Sequence, residues 1–119
     1  MSLGLSVRLG CLVVFALGFP GISGVAQVQA TEVDAENAMT IARRNNCLRC
    51  HAVDKRKKAP SYQEIAKKFN SKPDAEGRML KHVTSFSTVK VDDKDEEHKE
   101  VQVKDDKELK NFVQWMLTR

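Results

Sequence analysis

The chain has 119 residues, room for one small domain. Lysine and arginine number 20 against 16 aspartates and glutamates, for a formal charge of +4. Both signs are interspersed, which excludes the concentrated basic face that nucleic-acid binding needs.

Residues 1–30 read as an export signal rather than as part of the fold. Arg8 precedes the apolar run Cys11 to Phe19, Pro20 and glycines follow, and "VAQVQA" places Val28 and Ala30 where a signal peptidase needs small residues. Cleavage is expected after Ala30, with Ala26 as second choice, leaving a periplasmic domain of residues 31–119. The alternative is an uncleaved anchor, since Leu9 to Val28 carries no charge and is just long enough to span a bilayer. Only in that case would the chain meet a membrane. Removing the signal leaves Cys47 and Cys50, in a domain whose thin core calls for a staple.

"DAENAMTIARRNNC" predicts a first helix with Asp34 as N-cap, running into Cys47. The loop "AVDKRKKAP" carries the basic run Lys55, Arg56, Lys57, Lys58. "SYQEIAKKF" predicts a short helix opened by a Ser61–Glu64 capping box. "KPDAEGRMLKHV" predicts a third, with Ala75, Met79 and Val83 on one face and Gly77 weakening it. Two alternating segments around the acidic run Asp92 to Glu97 suggest a hairpin or an ordered loop. "DDKELKNFVQWMLTR" predicts the last helix, with a second capping box at Asp105 and Glu108 and a stripe of Leu109, Phe112, Val113, Met116 and Leu117. The domain is therefore mostly helical, with few and narrow apolar faces.

"CLRCH", Cys47 to His51, carries the chemistry. A structural zinc site would need four ligands and would have to draw on His82 or His98 besides His51, whose adjacency to Cys50 is awkward. A redox disulfide would need a strand-to-helix setting that the pattern lacks. Cys-x-x-Cys-His is also the attachment motif for covalent haem. Two thiols about one helical turn apart can add to the two vinyl groups on one porphyrin edge, and the next imidazole then falls under the iron. Export suits this reading, and haem would supply the missing apolar body. It is favoured over zinc and disulfide.

The motif, "APSYQEIAKKF" and "ELKNFVQWML" together resemble the small bacterial class I cytochromes c over nearly all of residues 31–119. The resemblance implies an all-α cytochrome c fold, with three to four short helices wrapped around one covalently bound haem and a small hairpin before the C-terminal helix. It implies thioethers from Cys47 and Cys50, His51 as proximal ligand, and a Pro60 carbonyl accepting the imidazole Nδ1–H. Ala59 stands where the family usually has glycine.

In the family the sixth ligand is a methionine in the loop before the C-terminal helix. Ser85 to Lys104 contains none, and Met39, Met79 and Met116 sit on helix stripes, where core packing accounts for them. His98, 17 residues before Trp115, falls near the methionine's place. His98 is the expected distal ligand, with His82 as rival. Two imidazoles imply a low-potential, six-coordinate haem suited to electron transfer.

The expected function is a periplasmic single-electron carrier or the haem subunit of an oxidoreductase. A haem protein binding gases or small ligands at an open or displaceable sixth position is the alternative. Residues 55–58 would steer an acidic redox partner. Trp115 and Phe112 are expected to pack in the core or on the haem, and Tyr62 to lie near it.

Overall fold

The computed structural model describes residues 32–119. The expected signal peptide lies outside the described residues. Among those described, no helix is long and apolar enough to cross a membrane.

Four helices and one hairpin follow in the order α1 (Ala35–Arg44), α2 (Tyr62–Asn70), α3 (Ala75–Val83), β1 (Ser87–Val91), β2 (Lys94–His98) and α4 (Asp106–Leu117). The mostly helical expectation holds. α4 is the hub, packing on α1, α2 and α3. Its stripe explains why: Phe112, Val113, Trp115 and Met116 are buried and meet Ala38, Ile41 and Ala42 of α1, Tyr62 of α2, and Met79 and Val83 of α3. Fully burying one large apolar side chain stabilises by about 1.5–3 kcal/mol. Met79 and Met116 are thus core residues, as expected, and Met39 packs at the core's margin.

The caps are those the sequence announces, with one variation. Asp34 accepts from the Asn37 N–H, and Ser61 and Glu64 form the full reciprocal box. Asp105 accepts from the Glu108 N–H at 2.8 Å, but the Glu108 carboxylate reaches past Asp105 to the Lys104 N–H at 2.9 Å. Only half of the second box forms, because Glu108 is drawn to Arg44 of α1 at 3.0 Å and Asn37 at 3.5 Å. Asp74 caps α3 by accepting from the Gly77 N–H. That contact explains Gly77: a Cβ there would collide with the Asp74 carboxylate.

Two expectations need correction. α1 does not run into Cys47. It ends at Arg44, Asn46 turns left-handed at φ 58°, and a separate 3-10 turn covers Cys47–Arg49. Asparagine tolerates that conformation better than most residues. The acidic run is likewise not the tip of the hairpin but most of β2. The tip is Asp92–Asp93, both at positive φ, 50° and 63°, as a two-residue hairpin turn requires. Ser87 pairs with His98, Val89 with Glu96 and Val91 with Lys94, in antiparallel register. Val91 is buried, while Ser87, Val89, Glu96 and His98 are half-buried.

Candidate functional site

The turn that carries the cysteines is built from backbone hydrogen bonds. Cys50 and His51 both donate to the Cys47 carbonyl, at 3.2 and 3.0 Å. The basic loop then folds back, with the Ala59 N–H on the Cys50 carbonyl at 3.0 Å and the Tyr62 N–H on the Ala52 carbonyl at 2.9 Å. This return places Pro60 beside His51, whose Nδ1 lies 2.6 Å from the Pro60 carbonyl. A carbonyl only accepts, so Nδ1 carries the proton and Nε2 keeps its lone pair. The contact that the resemblance implied for Pro60 is present in the structure.

Tyr62 stacks on the His51 ring, with centroids 5.6 Å apart and planes 23° apart, and meets Trp115 edge-on at 5.1 Å. The core therefore reaches the imidazole through two aromatic contacts. The Tyr62 hydroxyl is buried beside the Cys47 sulfur without a hydrogen bond of ordinary geometry. Burial pushes the Cys47 thiol up from its ordinary value, against the opposing pull of that hydroxyl. Tyr62 is itself pushed up, by burial first and then by Cys47.

His51, Cys47 and Cys50 line a cavity of about 470 Å³ from one stretch of chain, and β2 with the strap after it, including His98, lines it from another. His98 is half-buried, and its Nδ1 is enclosed with no hydrogen-bond partner. A polar atom left so is costly unless something in the cavity takes it. Burial, then the nearby His51, hold His98 below the usual imidazole range. His82 is lowered as well, by burial first, then by His98, His51 and Lys68. Both shifts favour the neutral imidazole, the form with a lone pair to give.

The strap is fixed by a residue that sequence reading passed over. Asn45 donates to the Gln102 carbonyl at 2.9 Å and accepts from the Gln102 N–H at 2.7 Å. Arg44 adds a contact to the same carbonyl at 3.2 Å, and the Val101 N–H reaches the Val83 carbonyl at 2.8 Å. The residue two before Cys47 thus holds the chain four residues after His98. The one sequence signal for it was a polar Asn45–Asn46 pair at the end of an amphipathic helix.

Lys55 to Lys58 are exposed, but two of these charges have internal partners. Arg56 pairs with Glu64 at 3.1 Å, and Lys57 Nζ donates to the Leu48 carbonyl at 2.6 Å.

Cys47 and Cys50 are not bonded to each other. No group of three or more histidine, cysteine or acidic side chains among the described residues is arranged to hold a metal ion by itself. The donor set instead suits a planar cofactor with its own metal: two thiols on one wall, a tautomer-fixed imidazole beside them, and a second neutral imidazole across the cavity.

A family model for cytochrome c matches residues 35–119. Among solved structures, the class 1 cytochrome MtoD from Sideroxydans lithotrophicus ES-1 is similar at 42% identity and a TM-score of 0.65, over 72% of this chain and 96% of that one. The N64Del mutant of Nitrosomonas europaea cytochrome c552 is similar at 28% identity and a TM-score of 0.54, over 67% of this chain and 96% of that one. Wild-type cytochrome c552 from the same organism is similar at 25% identity and 0.52, over the same shares of the two chains. No curated protein matches the chain.

Proposed function

Because the chain belongs to the cytochrome c family, as a small monohaem class I cytochrome that carries electrons to and from redox partner proteins on one covalently attached haem c, we propose that its iron is held by two histidines, His51 and His98. Cys47 and Cys50 carry the thioethers. The observation that carries this reading is the His51–Pro60 hydrogen bond, with His98 across the same cavity. The Pro60 carbonyl holds the His51 proton on Nδ1 and makes Nε2 the more basic ligand. His98 closes the other side from β2. When bound, the haem iron supplies the single-electron change of oxidation state. The protein's part is to keep two neutral imidazoles in place in both states, so that little rearranges during transfer.

A thioether ligand raises a haem potential, so an imidazole in its place lowers it. The chain is proposed to act in the periplasm, with residues 1–30 removed as a signal peptide and 31–119 forming the cytochrome domain. Lys55, Arg56, Lys57 and Lys58 would steer an acidic partner. Lys55 and Lys58 contribute most, since Arg56 and Lys57 are engaged internally.

The absorption spectrum of the purified haem-loaded protein tests the ligation. A low-spin ferric spectrum without the far-red methionine–iron band is expected. A high-spin spectrum would contradict it and favour binding of small molecules at the iron.

A further inference from the structure

His82 takes no part in attaching the cofactor, yet its ring lies 4.8 Å from the His98 ring, centroid to centroid, with the planes tilted by 36°. Phe69 covers its other side at 5.6 Å. His82 makes no hydrogen bond within the described residues through either ring nitrogen, although it is half-buried. No hydrogen bond to the protein fixes the His82 ring, which lies beside His98.

The two imidazoles are carried by unlike elements. His98 ends β2, in a two-stranded sheet whose backbone lies close to none of the four helices and which meets α3 through the His98 side chain. Such a hairpin is marginal by itself, and elements of this kind supply the local openings of a native protein. His82 stands in the last turn of α3, between Met79 and Val83, which are both core residues. The helix is therefore the more firmly anchored of the two elements.

We propose that His82 is a standby distal ligand: when β2 carries His98 away from the iron, the His82 imidazole turns into the vacated position and keeps the iron closed to small molecules. This rests on the reading of His98 as the resting ligand. The exchange breaks one nitrogen–iron bond and forms another. Each imidazole binds through a nitrogen lone pair, so the exchange requires no electron. The two ring centroids lie 4.8 Å apart, which sets the distance the His82 imidazole would have to cross.

The test compares four haem-loaded proteins: wild type, His82→Ala, His98→Ala and the double variant. Each is read by its ferric spectrum and by the rate at which the ferrous form binds carbon monoxide. His82→Ala should keep the wild-type resting spectrum but bind carbon monoxide faster. His98→Ala should remain low-spin with a shifted spectrum. Only the double variant should lose the low-spin spectrum and bind carbon monoxide on mixing. A high-spin His98→Ala protein would overturn the standby role while leaving His98 as the resting ligand. A His82→Ala protein that turns high-spin, beside an unchanged His98→Ala protein, would overturn both. Should His98→Ala fail to take up haem, the His82→Ala rate decides: faster binding than wild type supports the proposal, and an equal rate overturns it.

Discussion

The two walls of the cavity are made in different ways. The His51 wall is local chain: a 3-10 turn, a loop folded back by backbone hydrogen bonds, and the Pro60 carbonyl, all within residues 46–62 and backed by Tyr62 and Trp115. The His98 wall is a hairpin that meets the helices through side chains such as His82, tied to the rest through its strap by Asn45 and by the Val101–Val83 backbone bond. Contacts close in sequence give a rigid ligand and an early-reading motif. Contacts made by long-range polar ties leave His98, the proposed distal ligand, on the less anchored element. A carrier of electrons gains from the first, and the second makes His82 useful.

The contrast can be broken most severely from the His51 side. Trp115→Ala removes the largest fully buried side chain and the edge contact to Tyr62. It should cost about 3–5 kcal/mol in denaturant unfolding of the haem-loaded protein. Asn45→Ala strikes the other wall alone. Losing both hydrogen bonds to Gln102 should cost about 1–3 kcal/mol. It should speed carbon monoxide binding and leave haem attachment intact, as measured by the spectrum and by stopped-flow mixing.

A smaller effect lies at the strap's far end. The Lys104 N–H first, then Arg44, hold the Glu108 carboxyl down to about 2, against an ordinary value of 4.5. A depressed carboxyl contributes stability that is complete above the unfolded value and is lost as pH falls toward the folded one. Wild-type stability should therefore decline between pH 4.5 and about 2 through this group. Glu108→Gln should flatten that part of an acid-unfolding curve. Asp93→Gly is the mildest change and acts in the opposite sense. It relieves a left-handed residue at φ 63° in the hairpin turn. A gain of about 0.5–1 kcal/mol is expected in thermal unfolding, with slower carbon monoxide binding if the hairpin stiffens.

Much of this was legible before any coordinates. The α4 stripe, the Ser61–Glu64 box and the Asp34 cap are short-range patterns, and all three form as written. "CLRCH" followed by "APSY" announced the His51 wall for the same reason. The break at Asn46 was hidden because a helical pattern continues through it, and only one left-handed residue ends the helix. The hairpin was legible but the place of β2 was not, because its charges blur a period of two and Asp92 to Glu97 reads as the connection between strands. The Asn45–Gln102 clamp spans 57 residues, and the polar Asn45–Asn46 pair marks only one end of it. Glu108 looked like a capping residue and proved to be a junction of three segments.

A crystal structure of the haem-loaded protein tests the central claim most directly. The account predicts His51 Nε2 on one face of the iron and a His98 ring nitrogen on the other, each at about 2.0–2.1 Å, the usual length of a metal–imidazole bond, with His82 beside the second imidazole. A methionine sulfur on the iron, or His98 turned out to solvent in a fully loaded protein, would contradict it.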